Sequence, residues 1–332
     1  MRISAIFLFW VVMAFLAAAC WGAVFILNKK VLDYVSPVAV NFFVVSVSAA
    51  SLAAIALPMS LLHLWPLGLG LTWPAAGYIA LSAPVLWLVA FNAYYVALRS
   101  GRVGVVGPLC CTDPLFTALF ATVLLGAALG GLTIAGLLVA VLGVALISRW
   151  MGAEPQPPRA GSKASQAPSR PRRLEGTVTP APARAGTVVT LSLLTAASWG
   201  LAPVLIQLAE RSTGGATASM MVLGEALGTV LLTPFIIAQR GALFVGEAAR
   251  GRRHVWALLI GAGLLNAVFS VLYYVLIAEI GPVLTMLITA SAPIFAVAGG
   301  VLFLHERLDR RLALGAAVTL TGVSLAILQQ VH

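Results

Sequence analysis

Two carboxylic acids lie inside apolar stretches, where a charge is costly. Asp113 lies in the run PLCCTDPLFTALF, and Glu225 lies in MMVLGEALGTVLL. A carboxylate near the centre of a bilayer costs roughly 2.5–3.5 kcal/mol even on lenient insertion scales. Each side chain is therefore expected to face a cavity or a polar partner, where it binds a cationic group or carries a coupled proton. The alternative for each is a hydrogen bond between helices with no further role.

A set of amides and aromatic rings accompanies the two acids. Its members are Trp21, Asn92, Tyr94, Tyr95, Trp199, Asn266, Tyr273 and Tyr274. An amide inside a membrane span needs a partner, whereas Tyr and Trp rings often lie at the membrane surface. The set therefore lines a cavity or anchors helices at the interface, and both interpretations stay open. Together with Asp113 and Glu225 it forms the predicted substrate-binding set.

The sequence offers little for catalysis or metal binding. The four histidines fall in predicted loops or at the C-terminus. His305-Glu306 begins like a zinc-protease motif, but Asp309 occupies the position of the second histidine. The three cysteines have neither disulfide nor metal-ligand spacing. We therefore expect no catalytic residue, no metal and no cofactor.

The composition is that of a membrane protein. Of 332 residues, 61% are hydrophobic and 9% are charged, which is more apolar surface than a soluble domain can bury. The net charge of +10 could attract nucleic acid, but the basic residues lie between apolar spans, where the anionic inner leaflet accounts for them. We therefore expect the lipid bilayer as the environment and no nucleic-acid partner.

Ten apolar stretches are long enough to be membrane spans. They cover about 4–27, 36–58, 74–98, 103–125, 132–149, 187–208, 216–238, 254–277, 281–303 and 311–329. Residues 150–186 contain seven prolines and six Lys or Arg against two Glu. This composition predicts a disordered linker, with a regulatory or partner-binding segment as the alternative. The predicted domains are a repeat at 1–149, the linker at 150–186, and a second repeat at 187–332.

The second half of the chain repeats the first at an offset of 179 residues. Tyr94-Tyr95-Val96 matches Tyr273-Tyr274-Val275, and Gly143-Val144 matches Gly322-Val323. Each half holds five spans, an odd number, so the two halves are predicted to lie in opposite orientations across the membrane. Such inverted repeats are typical of secondary transporters, whose binding site lies where the halves meet.

Two other features of the spans also recur at this offset. Pro114 matches Pro293, and both are predicted hinges within a span, since a proline frees a carbonyl that a neighbour or water must satisfy. A purely structural kink is the alternative. Small residues at 136, 140 and 143, and again at 315, 319 and 322, share one helix face and predict a close helix contact.

The distribution of Lys and Arg predicts the orientation. With the N-terminus outside, 18 of the 20 basic residues lie at inner loops and helix ends, and only Arg2 and Arg211 remain outside. The positive-inside rule therefore places both termini outside and the linker in the cytoplasm.

The order of these features resembles the drug/metabolite transporter superfamily in its EamA-type form. Trp21-Gly22 and Trp199-Gly200 match a WG near the end of the first helix of each repeat. SAPIFAVAGGVLFLHERLDRRLALGAAVTLTGV matches a small-residue helix with a central proline, a Glu-Arg hairpin and a Gly-rich helix. The first repeat departs from this pattern, with Gly126-Ala127 in place of His305-Glu306. The family is often drawn with cytoplasmic termini, contrary to the charge distribution here.

The resemblance implies ten helices around a central cavity and a secondary exporter of amino acids, metabolites or drugs. The prediction is an all-α membrane protein, two inverted five-helix repeats, acting by alternating access in a bacterial inner membrane. We expect a monomer that exports a small-molecule substrate such as an amino acid, an amine or an aromatic compound. No GxxxxGK[ST] loop is present, so a proton gradient or substrate exchange is left as the driving force. The alternatives are a multidrug or metabolite permease acting as exchanger or importer, a channel, and an intramembrane enzyme.

Overall fold

The computed structural model describes residues 5–32, 34–62, 70–100, 109–110, 112–151, 185–239, 253–292, 294–295 and 310–331. Within these ranges the regular elements are helices and no strand occurs. They are α1 Ala5–Val31, α2 Pro37–Leu61, α3 Trp73–Ala83, α4 Phe91–Ser100, α5 Asp113–Leu125, α6 Gly131–Met151, α7 Ala185–Thr213, α8 Thr217–Ala238, α9 Arg253–Thr289 and α10 Arg310–Val331. A π-helical turn, Pro84–Ala90, joins α3 to α4. The all-α class predicted from the sequence is confirmed.

Six helical stretches among the described residues are long and apolar enough to cross a membrane. They are Ala5–Asn28, Pro37–Ile55, Trp73–Ala97, Gly186–Thr213, Thr217–Ala238 and Arg253–Thr289. Shorter apolar helices cover Asp113–Leu125, Gly131–Gly143 and Ala317–Gln329. The chain is therefore an integral, multi-pass membrane protein.

The 37-residue helix α9 contains a break at Gly281. Its φ of 79° and ψ of 165° are not helical, and glycine adopts such a positive φ without steric penalty. Pro282 follows and starts the next segment, where its missing N–H costs nothing. The break divides α9 at the boundary predicted between the spans 254–277 and 281–303.

In each half, a helix is interrupted at the equivalent position of the repeat. In the first half, the hydroxyl of Thr112 donates to the carbonyl of Leu109 at 2.7 Å. In the second half, the hydroxyl of Ser291 donates to the carbonyl of Ile288 at 2.6 Å. The backbone N–H of Leu115 donates to the carbonyl of Thr112 at 3.0 Å, and the backbone N–H of Ile294 donates to the carbonyl of Ser291 at 2.9 Å. The duplication read from the sequence is therefore reproduced in the hydrogen bonds of the backbone.

This interruption changes the position expected for Asp113 and Pro114. The sequence places Asp113 near the middle of a span at 103–125, with Pro114 as a kink within it. Instead, α5 begins at Asp113, and Pro114 lies in its first turn, where a proline removes no helical hydrogen bond. Pro114 therefore lies at a helix start and not in the middle of a helix, and its role as a hinge stays a prediction. Pro293 and the linker residues 152–184 lie outside the described residues.

The two halves pack against each other reciprocally. Helix α1 contacts α9, and α7 contacts α5 and the α3–α4 segment. Helix α2 packs against α8 and α9, and α8 packs against α2 and α3. Most contacts between a helix of the first half and a helix of the second half thus recur between the equivalent helices when the two halves are exchanged. The space between α1, α4, α5, α7, α8 and α9 is where a site would be shared by both halves.

Helices α6 and α10 approach each other closely through small residues. A Cβ atom at Gly136 would lie 2.5 Å from the carbonyl oxygen of Gly322, and one at Gly143 would collide with the backbone nitrogen of Thr319. The two small-residue stripes predicted from the sequence therefore face each other. Glycine is required here because any larger side chain would meet backbone rather than a movable side chain.

Candidate functional site

A cavity of about 90 Å³ lies between the two halves. Aromatic rings form much of its wall: Trp21, Trp87, Phe91, Trp199, Phe269 and Tyr273. Polar side chains face the same space: Asp113, Glu225, Asn266, Ser270, Tyr274 and Thr289. None of the lining residues that the structure describes is Lys, Arg or His. The cavity therefore combines two carboxyl groups with aromatic faces and has no described basic side chain to neutralise the acids.

Glu225 of α8 is held by two donors from α9 and is only 3% exposed. Its Oε1 atom accepts hydrogen bonds from the Ser270 hydroxyl at 2.5 Å and from the Asn266 amide at 3.3 Å. These donors lie one helical turn apart, so both reach the same oxygen. The Asn266 amide also donates to the Ser48 hydroxyl of α2 at 3.1 Å. The buried Oε2 atom has no hydrogen-bond partner among the described residues.

Two glycines position the helix that carries Glu225. A Cβ atom at Gly224 would lie 2.7 Å from the Tyr274 hydroxyl, and one at Gly228 would lie 2.6 Å from Cγ of Trp87. Both rings therefore rest directly on the backbone of α8, on either side of Glu225. The close packing encloses the carboxyl group within the protein instead of leaving it against lipid.

Asp113 is buried at the first position of α5, and its Oδ1 atom has no described hydrogen-bond partner. Gly200 of α7 packs against this helix start, because a Cβ atom there would lie 2.6 Å from Cβ of Phe116 and 2.9 Å from the carbonyl oxygen of Asp113. The preceding residue, Trp199, lines the cavity, and its indole N–H also lacks a described acceptor. The Trp-Gly pair thus places an aromatic wall and the acid side by side.

Gly200→Ala is expected to separate α7 from the start of α5 and to destabilise the protein by about 1–3 kcal/mol, because the added methyl meets backbone. The measurement is the midpoint of thermal unfolding in detergent. Gly77→Ala is the matched control, since a Cβ atom at this helical glycine meets nothing within 4 Å. Equal midpoints for the two variants would show that α5 and α7 are not in the tight contact described here.

The aromatic wall is a connected group of rings. Trp21 stacks on Phe269 with ring centres 4.7 Å apart, and meets Phe91 edge-on at 5.8 Å and Trp199 at 6.4 Å. Trp87 stacks on Phe91 at 4.9 Å. The faces of aromatic rings attract cations, and the attraction strengthens where water is excluded.

Trp87, which lines the cavity, lies in the π-helical turn. In a π-helical turn the hydrogen-bonding pattern of the α-helix is altered, and such turns are frequent at functional sites. The carbonyl of Trp87 accepts a hydrogen bond from the buried Asn41 amide of α2 at 2.9 Å. A side chain from the neighbouring helix therefore supports the backbone where the helix departs from α geometry.

Seven of the ten residues in the predicted binding set line this cavity: Trp21, Asp113, Trp199, Glu225, Asn266, Tyr273 and Tyr274. The other three are not among its lining residues. Tyr95 is buried and accepts a hydrogen bond from the Asn28 amide at 3.1 Å. Asn92 donates to the carbonyl of Leu88, in the preceding π-helical turn, at 2.9 Å. Tyr94 packs against the ring of Trp199, 5.2 Å between centres, and so lies behind the wall.

Several lining residues were not in the predicted set, although the repeat offset points to them. An offset of 179 maps Trp87 onto Asn266 and Phe91 onto Ser270. Within each half the two positions are four residues apart, so they share a helix face. Subtracting the offset from Asn266 would have identified Trp87. A spacing of four residues from Trp87 and Asn266 would then have identified Phe91 and Ser270. The matched positions are aromatic in one half and polar in the other.

A second hollow, of about 680 Å³, lies beside the break in α9. Gly281 and Pro282 line it, together with the α5–α6 connection and Gln207 of α7. Tyr273, which lines the central cavity, donates a hydrogen bond to the sulfur atom of Met286 at 3.1 Å. This bond joins the segments of α9 on either side of Gly281.

Comparison with known proteins identifies a family and a fold. The sequence model of the EamA-like transporter family matches the chain twice, at residues 8–149 and 186–328. No curated protein matches the chain. A solved structure, titled only as the crystal structure of a protein, is similar with a TM-score of 0.66 and 17% identity, covering 96% of this chain and 96% of that one. At this identity the likeness shows the fold alone.

Proposed function

The chain belongs to the EamA-like transporter family, and on that premise we propose that it is a secondary active transporter whose substrate site is the cavity between its halves. The observation that carries the proposal is the presence of two carboxyl groups in one cavity, each with an oxygen that lacks a described donor. A buried acceptor without a partner costs about 1–3 kcal/mol. A substrate that supplies donors would remove this cost.

The proposed substrates are small amine-bearing or aromatic solutes. An ammonium group would pair with Asp113 or Glu225, and an alkyl or aromatic body would lie against the stacked rings of Trp21 and Phe269. The carboxylate of an amino acid would find no basic side chain in the described lining, only neutral donors such as the indole N–H of Trp199. The cavity therefore suits amines better than amino acids.

We infer ten spans, in two inverted repeats, that expose this cavity alternately to the two sides of the membrane. Contacts at the ends of the spans support the arrangement. The Ser36 hydroxyl donates to the Gln239 side chain at 3.0 Å. Ser36 begins the second predicted span at its cytoplasmic end, and Gln239 belongs to a loop predicted to be cytoplasmic. The Thr72 hydroxyl donates to the carbonyl of Ser212 at 3.2 Å, and both belong to loops predicted to be outside. The larger hollow beside Gly281 would be the outer approach to the site, closed by Tyr273 and Met286.

The orientation has a direct test. A reporter fused to the C-terminus is expected to be active only if it is one that matures outside the cytoplasm, since 18 of 20 basic residues lie on the inner side in this topology. A reporter inserted between residues 160 and 170 is expected to give the opposite result. Cytoplasmic activity at the C-terminus would contradict the topology.

The transport function is tested by counterflow. Protein reconstituted in liposomes loaded with unlabelled 2-phenylethylamine is expected to accumulate labelled 2-phenylethylamine transiently, with saturable kinetics and slower uptake of phenylalanine. Alternating access predicts this behaviour, because the protein with bound solute reorients across the membrane faster than the empty protein does. Unsaturable flux without counterflow would indicate a channel. Conversion of the solute would indicate an enzyme, and no flux of either solute would contradict the proposal.

A further inference from the structure

The two acids of the cavity occupy separate positions with different neighbours. Asp113 lies at the first position of α5, and its buried Oδ1 atom has no described hydrogen-bond partner. Glu225 lies within α8. The donors described for Glu225 come from Asn266 and Ser270. Among the described residues no side chain bonds both acids, so the two carboxyl groups are held separately, on different helices.

A solute with one amino group would satisfy only one of these positions. The other carboxyl group would keep a buried oxygen without a donor, as Asp113 Oδ1 and Glu225 Oε2 both have now. Leaving such an oxygen unpaired lowers affinity by about fivefold to 150-fold. Sites built to hydrogen-bond a particular group discriminate strongly against analogues that lack it, for the same reason.

The lining residues other than the two acids disfavour a solute that carries a negative charge. The described lining contains no basic side chain, and donors such as the indole N–H of Trp199 are neutral. Much of the remaining wall is apolar and aromatic surface, including the stacked Trp21 and Phe269 rings. Such a surface suits methylene groups, and the ring faces attract ammonium groups at the ends.

We propose, on the basis of the transporter function proposed above, that the substrate is a short α,ω-diamine that binds with one ammonium group at Asp113 and the other at Glu225. Two positive charges would neutralise both acids, so the loaded site would carry no net charge. The cavity volume of about 90 Å³ limits the solute to a small one.

The test compares three solutes that share a five-carbon amine chain. Titration calorimetry on the purified full chain would measure binding of pentane-1,5-diamine, pentan-1-amine and lysine. We expect the diamine to bind at least about tenfold more tightly than the monoamine, because it leaves no acid unpaired. Lysine carries the same two amino groups plus a carboxylate, and is expected to bind more weakly than the diamine. A series of three to six carbons would then identify the length that spans the two acids.

Matched variants assign the preference to the two acids. Asp113→Asn and Glu225→Gln are each expected to reduce the affinity for the diamine to about that for the monoamine. Glu210→Gln is the control, because Glu210 is a buried acid that bonds the Thr217 hydroxyl and is not among the lining residues. The comparison of solutes on the unmodified protein does not depend on any variant folding.

The possible results distinguish failure of the diamine assignment from failure of the proposed transporter function. Equal affinity for diamine and monoamine, or tighter binding of lysine, would overturn the diamine assignment while counterflow of 2-phenylethylamine would still support the transporter. A preference for the diamine that survives both cavity substitutions would also overturn it. If no amine binds and no counterflow occurs, the diamine assignment and the proposed function fail together.

Discussion

Glu225→Gln is expected to lower the rate of amine counterflow by about 100-fold or more while the protein stays folded. The amide oxygen of the new side chain can accept the bonds that Ser270 and Asn266 now give to Oε1. Its NH2 group would then replace Oε2 and present a donor where the ammonium group needs an acceptor. Removing one partner of a buried, hydrogen-bonded charge pair costs about 2–5 kcal/mol, and 100-fold corresponds to about 2.7 kcal/mol.

The measurement is the initial rate of labelled 2-phenylethylamine counterflow, normalised to folded protein in the liposomes. Glu210→Gln makes the same chemical change at a buried acid outside the cavity and is expected to keep the wild-type rate. Asp113→Asn serves as the second cavity variant. Wild-type rates with unchanged pH dependence in both cavity variants would remove the two acids from the proposed site.

Gly322→Leu is expected to have the largest effect on stability, a loss of about 3 kcal/mol, at the upper end of the usual range for overpacking. A Cβ atom at Gly322 would already lie 2.5 Å from the carbonyl oxygen of Gly136 and 2.7 Å from Cα of Ala140. Both are rigid backbone atoms, so the helices themselves would have to separate. Helices α6 and α10 pack mainly along each other, and few other contacts would hold α10 in place.

Thermal unfolding in detergent, together with the yield of monodisperse protein, measures this effect. Gly131→Leu is the matched control on the same pair of helices, because a Cβ atom at Gly131 meets nothing within 4 Å. It is expected to unfold close to the wild-type temperature. A Gly322→Leu protein with the same midpoint as this control would contradict the described contact between α6 and α10.

The parts of the fold and site that could be predicted rest on local signals. Apolar runs define helices, and small residues at spacings of three and four define the α6–α10 contact. Asp113 and Glu225 were found because an acid in an apolar run is costly wherever it lies. Recurrence at the repeat offset selects Tyr94 and Tyr95 together with Tyr273 and Tyr274, and only the second pair lines the cavity. Each signal can be read from a few residues without knowing what packs against them.

The rest depends on tertiary context. The interruption at Thr112 lies within an apolar run that reads as one continuous helix, and its hydroxyl bond to Leu109 is only one of several that a threonine can make. The π-helical turn at Pro84–Ala90 has no comparable sequence signal. Such a turn changes the rotation of the residues that follow it relative to an uninterrupted helix. Tyr94 and Tyr95 follow this turn and are not among the lining residues, whereas Tyr273 and Tyr274 are.

If the proposed alternating access holds, the exchange of Trp87 and Phe91 for Asn266 and Ser270 between the halves has a consequence for the unloaded protein. Identical inverted halves would make the inward-open and outward-open forms equal in free energy. Here, exposing one half to water uncovers indole and phenyl rings, whereas exposing the other uncovers an amide and a hydroxyl. The unloaded protein should therefore rest with one mouth preferentially open, so that solute entering from the two sides of the bilayer meets unequal half-saturation concentrations.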